Sequence, residues 1–484
     1  MILLLLIVPI IGSVFILSVP RIDNSMEAEN EMKSIALMTS LITFLISIFL
    51  WIEFDPSTSE YQFITEFNEL SFCHFNLGVD GISLYYILLT TFITPIALLS
   101  NYNNVYINIK YFLVSFLVLE TLQLFVFLVL DLFLFYISFE AVLPVLFIII
   151  ILYGSGENRI RSALLFFLYT LLGSLFMLLA ILHIYSNVGS TDFQIISLSE
   201  ISLETQLILF LAFFFALAVK TPLWPVHSWL AWAHTYAPLG ASILLAGTIL
   251  KFSTYGFLRI VITLLPDATN YFSPLVQTIA IITLIYASFS TIIQQDTKQL
   301  VAYSSVAHMA VITLGLFSNT IQGIEGAILL SLAHGFVSPA LFIAVGGVIY
   351  ERTGTRLIPY IKGLVYYLPV FTILFLIFTL SNAGIPLSLN YLGESLSLMG
   401  IFERTPLIAV FAATSIFLSA CYSIFLYNRL SYGSYSPHLL PLPDITRREF
   451  TLLITLLIPT VIFGVFPNTI LDFIHFSVAN LLYS

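Results

Sequence analysis

Long apolar runs alternate with short polar joints along this chain, and each run is about as long as a bilayer is thick. A hydrocarbon core about 30 Å thick takes roughly 20 apolar residues per helix. That ruler gives fourteen spans, near 1–20, 34–52, 82–100, 111–130, 132–152, 162–185, 207–229, 238–262, 273–293, 299–318, 322–350, 369–400, 406–430 and 450–479. The pattern predicts an all-α polytopic membrane protein, a single membrane domain over 1–484 without a soluble domain. The longest polar connections fall at 53–81 and 431–449. The first run, MILLLLIVPIIGSVFILSVP, has no basic leading region and reads as a retained helix rather than a signal peptide.

Proline interrupts two spans. The seventh, LAFFFALAVKTPLWPVHSWLAWAHTYAP, is split by Pro222 and Pro225; the twelfth, FTLSNAGIPLSLNYLGESLSL, is split by Pro386. Proline removes a backbone hydrogen bond and clashes with the preceding turn. In a membrane the freed carbonyls need protein partners or a water-filled cavity. The breaks share an echo, V-K-T-P-L against A-G-I-P-L, and five spans surround each. Paired broken helices predict two inverted five-helix repeats, at 111–262 and 273–430. Three N-terminal helices within 1–110 precede them, and a C-terminal helix at 450–479 follows.

Composition agrees: 59% of residues are hydrophobic and 9% are charged, which excludes a soluble globule. The net charge of −10 matters less than its placement. Basic residues gather in loops after odd-numbered spans, from Arg21, Lys33 and Lys110 through Arg352 and Arg356 to Arg447 and Arg448. Arg259 and Arg404 fall toward the other face. The positive-inside rule puts the basic loops in the matrix or cytoplasm and both termini on the opposite side. Cys73 and Cys421 are too few for a disulfide framework or a zinc or iron–sulfur site, and no nucleotide or flavin motif is present.

Against this background, charges inside apolar spans stand out: Glu140, Lys220, Lys251 and Glu394. A charge at a helix centre costs at least about 2.5–3.5 kcal/mol, and such residues usually line a water or ion path. A structural Glu140–Lys220 ion pair is the bland alternative. Two lysines and separated carboxylates on four spans point instead to a chain of titrating sites, since movement of Glu140 would change the proton affinity of Lys220. Glu120, in span four, joins a proton inlet or bonds a neighbouring helix. His308 in AYSSVAHMA and His334 in SLAHGFVSPA are proton relays or neutral histidines bonded to carbonyls. His227 and His234 flank the seventh-span break, whereas His74 lies near a membrane face. Lys298, opening span ten beside Asp296, is a gate for entering protons or an ordinary flanking lysine. Gly323 and Gly326 belong to close helix packing.

The stretch VKTPLWPVHSWLAWAHTYAPLGASILLAGTILKFSTYGFLRI resembles the proton-conducting module shared by respiratory complex I and the multisubunit cation/proton antiporters. LDLFLFYISFEAVLPVLF, KQLVAYSSVAHMAVITLG and SLAHGFVSPALF extend the resemblance over nearly the whole chain. Glu394 stands where antiporter-like chains 2 and 5 of complex I typically carry lysine, and the chain stops without the long lateral helix of chain 5. Both details favour the remaining antiporter-like subunit.

The resemblance implies that Glu140 and Lys220 form a coupling pair, with Lys251 and His308 relaying toward Glu394. It implies no redox centre and no metal on this chain, with NADH, FMN, iron–sulfur clusters and ubiquinone in partner subunits. Chains 2 and 5, accessory subunits and lipids are the implied partners, and no nucleic acid is. The family often reads W-L-P-E/D-A-H-x-E-A-P where this chain has W-L-A-W-A-H-T-Y-A-P, so Trp232 and Tyr236 replace carboxylates near His234. Heavy Phe, Ile, Leu and Tyr usage suits an AT-rich mitochondrial genome and hence the inner mitochondrial membrane, with a plastid or bacterial origin as the alternative. The competing readings are a sodium/proton antiporter subunit and a structural scaffold whose charges merely pair.

Overall fold

A computed structural model describes residues 1–20, 26–67, 75–103, 108–439 and 441–483. Arg21, Cys73 and His74 lie outside the described residues. Six helices open the chain: α1 (Ile2–Ser18), α2 (Met26–Glu53), α3 (Gly81–Ser100), α4 (Ile109–Leu128), α5 (Leu132–Tyr153) and α6 (Arg159–Val188). A short α7 (Phe193–Leu198) precedes α8 (Leu203–Lys220) and α9 (Ser228–Tyr236). Then come α10 (Leu239–Ile262), α11 (Pro266–Ile293), α12 (Thr297–Leu316) and α13 (Ile321–Thr353). The chain closes with α14 (Pro369–Asn382), α15 (Leu389–Arg404), α16 (Pro406–Ser431), α17 (Arg447–Val465) and α18 (Asn468–Tyr483).

Among the described residues twelve helices are long and apolar enough to cross a membrane, and α1 and α14 are shorter apolar helices. The chain is a multi-pass membrane protein. Both predicted breaks are present, as non-helical turns between α8 and α9 and between α14 and α15. One span differs from the sequence reading. The run at 450–479 comprises two helices, because Phe466 leaves the helical region and Pro467 cannot continue the hydrogen-bond ladder. The connection at 53–81 also carries a two-stranded antiparallel hairpin, β1 (Gln62–Phe67) and β2 (Phe75–Val79), which pairs Gln62 with Val79 and Thr65 with Leu77.

Aspartates start several helices. Asp80 accepts from Ser83 N at α3, Asp131 from Phe133 N and Leu134 N at α5, and Asp296 from Lys298 N and Gln299 N at α12. Each carboxylate satisfies backbone donors that the first helical turn leaves unpaired.

Residues fall into two compact units, one comprising 1–220, 248–271 and 473–484, the other 221–247 and 272–472. In the first unit α6 packs on α5 and α8, and α1 on α2 and α4. In the second, the most extensive helix contact among the described residues joins α13 to α15. Small residues make it possible. A side chain at Gly393 would strike the Leu330 backbone, one at Gly400 the Gly323 backbone, and one at Gly326 the Ser397 backbone. Close backbone approach of this kind is how helices associate where lipid supplies no hydrophobic drive. Burial separates core helices from peripheral ones. The apolar windows of α10 and α13 are 100% buried, against 28% for α2 and α17, whose apolar faces suit lipid.

Candidate functional site

In the first unit, α8 runs thirteen apolar residues from Leu207 to Val219 and then ends on Lys220, just before Pro222. A cation suits a helix C-terminus, where unpaired carbonyls and the macrodipole are negative. Lys220 is 1% exposed. Its Nζ donates to Phe139 O at 3.4 Å, lies 3.9 Å from the centroid of the Phe139 ring, and lies 5.8 Å from that of Phe252. Glu140, the residue after Phe139, lies beside Ser174 and close enough to Lys220 to interact through space. The two are not in direct ion-pair contact, and Glu140 Oε1 has no hydrogen-bond partner. Lys220 therefore has a carbonyl and two ring faces as its immediate neighbours, with the carboxylate one step away.

Lys251 is wholly buried on α10, in the α-helical turns between two π-helical stretches, Leu245–Ile249 and Phe257–Ile262. Such bulges widen the helix and occur often at functional sites. Glu120 is buried on α4, where its Oε1 lies 2.5 Å from the Thr43 hydroxyl of α2, which donates to it. Three residues on, Gln123 Oε1 accepts from Thr248 Oγ1 of α10 at 3.0 Å.

The second unit holds a tighter cluster. His308 Nδ1 lies 3.2 Å from Glu394 Oε1, and His308 Nε2 lies 3.1 Å from Asn382 Oδ1. Asn382 Nδ2 donates to Ser423 Oγ at 3.0 Å. All four side chains are buried. With Asn382 so oriented, its carbonyl oxygen requires a donor at Nε2. Nδ1 then faces a carboxyl oxygen, so the two groups are placed to hydrogen-bond and to exchange a proton. Glu394 reaches this position because the twelfth span is broken. Gly384 in the break has φ +71°, and a Cβ there would lie 2.7 Å from Glu394 Oε2. Glycine supplies both the left-handed backbone and the space. The His334 ring centroid is 6.0 Å from that of His308.

Near the end of α9, Lys298 is buried rather than solvated, and its Nζ donates to Ala237 O at 2.8 Å. Arg356 donates to Thr235 O and lies 3.9 Å from Asp296. Two cations thus meet the last carbonyls of the half-helix. The His234 ring stacks on Phe342 at 4.6 Å and 12°. Trp232 stacks on Tyr236 at 5.7 Å, and the Arg356 guanidinium lies 5.9 Å from the Tyr236 ring centroid. Aromatic faces therefore stand where the family often has acids.

Of the sequence-derived residues, the structure brings together Glu140 with Lys220, and His308 with Glu394 and His334. Asn382 and Ser423 were missed. Asn382 had a signal, as a polar residue ending an apolar run four residues before Pro386. Ser423 had none, because it is a serine within an ordinary span. Among the described residues no three His, Cys, Asp or Glu side chains gather as metal ligands.

Residues 130–419 match the family model described as NADH:quinone oxidoreductase/Mrp antiporter, TM. The chain is 60% identical over 100% of its length, and 100% of the relative's, to NADH-ubiquinone oxidoreductase chain 4 of Mycosarcoma maydis. The chain belongs to the NADH-ubiquinone oxidoreductase chain 4 family. The same-named protein of Marchantia polymorpha is 45% identical, covering 99% of this chain and 96% of the relative. A chain in the structure of respiratory complex I from Thermus thermophilus with bound NADH superposes with a TM-score of 0.88 at 27% identity, covering 100% of both chains. A chain of the Mrp complex from Dietzia sp. DQ12-45-1b gives the same TM-score at 16% identity, covering 99% of this chain and 97% of that one, and shows likeness of fold alone.

Proposed function

We propose that this chain is the proton-translocating, antiporter-like core subunit of respiratory complex I. It couples NADH-to-ubiquinone electron transfer in partner subunits to proton pumping across the inner mitochondrial membrane. The proton-handling part rests on one observation above all, the buried His308–Glu394 contact, in which an imidazole nitrogen faces a carboxyl oxygen at 3.2 Å. Buried Glu140, Lys220 and Lys251 supply further stations, with Lys251 and His308 passing protons toward Glu394. Lys298, His234, His334 and Glu120 are secondary members of the set. The broken helices suit the two inverted repeats at 111–262 and 273–430 within one membrane domain, with 1–110 and 450–479 flanking them.

NADH, FMN, iron–sulfur clusters and ubiquinone belong to partner subunits, and this chain contributes protonatable side chains alone. Its neighbours are the antiporter-like chains 2 and 5, accessory subunits and lipid. Its basic loops face the matrix, and both termini face the intermembrane space. Relatives of 44–60% identity, all named as chain 4, favour this reading over a stand-alone sodium/proton antiporter.

The test begins with a native gel of solubilised membranes. The chain should comigrate with a large band that has NADH dehydrogenase activity; a smaller inactive band with sodium-driven flux would support the antiporter. Lys220→Met and Glu140→Gln should then leave the amount of complex normal while lowering protons pumped per NADH. Normal pumping in both variants would overturn the role of this pair. Loss of assembly with intact pumping in what remains would mean that the charges only hold helices together.

A further inference from the structure

A second polar cluster lies in the first unit, beyond Lys251 along α10. Tyr255 and Arg259 follow Lys251 at four-residue steps, so the three share one helix face. Arg259 Nε donates to the Tyr255 hydroxyl at 3.3 Å, and that hydroxyl donates to Phe127 O at 3.3 Å. The guanidinium forms an ion pair with Asp80, the N-cap of α3, and lies 5.2 Å from the Tyr61 ring centroid. Arg259 is 7% exposed and Asp80 3%.

Beyond this pair lies a cavity of about 830 Å³. Its wall carries Glu60, Asp80, Glu200 and Asp267, and Arg259 is the one cation among the described lining residues. An acidic vestibule of this kind disfavours an anionic lipid headgroup and raises the local concentration of protons and other cations. Nothing in the cluster favours passage inward. The Tyr255 proton is held on a backbone carbonyl, and a guanidinium cannot release its proton at physiological pH. A fixed arginine at a neck is a known means of excluding protons from a pore.

We propose that Arg259 is an electrostatic valve that keeps protons of the acidic cavity from leaking back to Lys251. Asp80 and Tyr61 hold the valve in place. This inference rests on the reading of Lys251 as a proton station.

Two variants of the intact complex, reconstituted into proteoliposomes, separate the charge from the ion pair. Asp80→Asn breaks the pair but keeps the cation, and asparagine remains a good N-cap. Asp80→Asn with Arg259→Gln differs from it by that one charge. Arg259 lies about 12 Å along the helix from Lys251. At an effective permittivity of about 20, a unit charge at that range changes proton occupancy about tenfold. Decay of an imposed pH gradient without NADH should be about tenfold faster in the double variant than in Asp80→Asn, where the cation stands without its counter-charge. Equal decay in the two variants would overturn the valve.

Adding Lys251→Met should return the leaky double variant to slow decay; an undiminished leak would refute a route to Lys251. Arg259→Lys guards against failed assembly, because it keeps both the pair and the positive charge. Its decay should stay as slow as that of the unmodified complex, and a leak as fast as that of the double variant would overturn a valve that works by charge. Normal NADH-driven pumping by Lys251→Met alone would instead sink the reading of Lys251 as a pumping station, an outcome separate from the leak assay.

Discussion

His308 and Glu394 bring a base and an acid from separate helices into direct contact. Asn382, which also bonds Ser423, meets one edge of the imidazole, and the opposite edge meets a carboxyl oxygen at 3.2 Å. Glu394→Gln keeps the shape and removes the titrating acid. Assembly should be unchanged and quinone-linked turnover should fall by roughly tenfold or more, as for loss of a positioned proton-transfer group. Parallel measurement of complex content and NADH:quinone activity checks this, and full activity would exclude Glu394 from the proton path. At Lys220 the same reasoning gives a different picture. Its cation rests on a carbonyl and two aromatic faces, and Glu140 acts from beside it rather than by direct contact.

Helices place these groups by breaking and by packing closely. Proline ends α8 at Lys220, and the break before α15 lets Glu394 meet α12. The α13–α15 seam then fixes α15 laterally, with Gly393 against the Leu330 backbone. A larger side chain has nowhere to go, because backbone rather than a flexible tip is the obstacle. Gly393→Leu should therefore separate the helices at a cost of at least about 1–3 kcal/mol. Less assembled complex and a lower thermal inactivation temperature are the expected results, whereas Gly464, whose crowding involves Leu387 and Ser388, tests a different contact. Normal yield of Gly393→Leu would mean that α15 is held by its other neighbours.

Over the whole molecule, the distribution of basic loops makes an orientation testable. Glu157 lies in the basic-side loop after α5, and Glu60 in the connection after α2; both are exposed. In a background lacking Cys73 and Cys421, a cysteine replacing Glu157 should react with an impermeant thiol reagent from the matrix side only. A cysteine replacing Glu60 should react only from the intermembrane-space side. Labelling with the opposite sidedness would invert the positive-inside assignment.

The apolar runs by themselves located most of the helices, because backbone exposed to hydrocarbon must be satisfied within its own helix. They also marked both proline breaks and exposed Glu140, Lys220, Lys251 and Glu394 as costly exceptions. Motif likeness gave the family, since K-T-P-L-W-P and its neighbours join side-chain chemistry to helix geometry over a continuous stretch. Partner choice was not legible. The separations of 74 positions from His308 to Asn382, and of 179 from Asp80 to Arg259, are closed only by helix packing. Gln62–Phe67 carries no alternating pattern, and so short a run acquires a partner only when the chain returns at Phe75–Val79. Sequence decides locally which residues a membrane will tolerate, whereas the contact between a buried acid and its base depends on backbones brought together from distant parts of the chain.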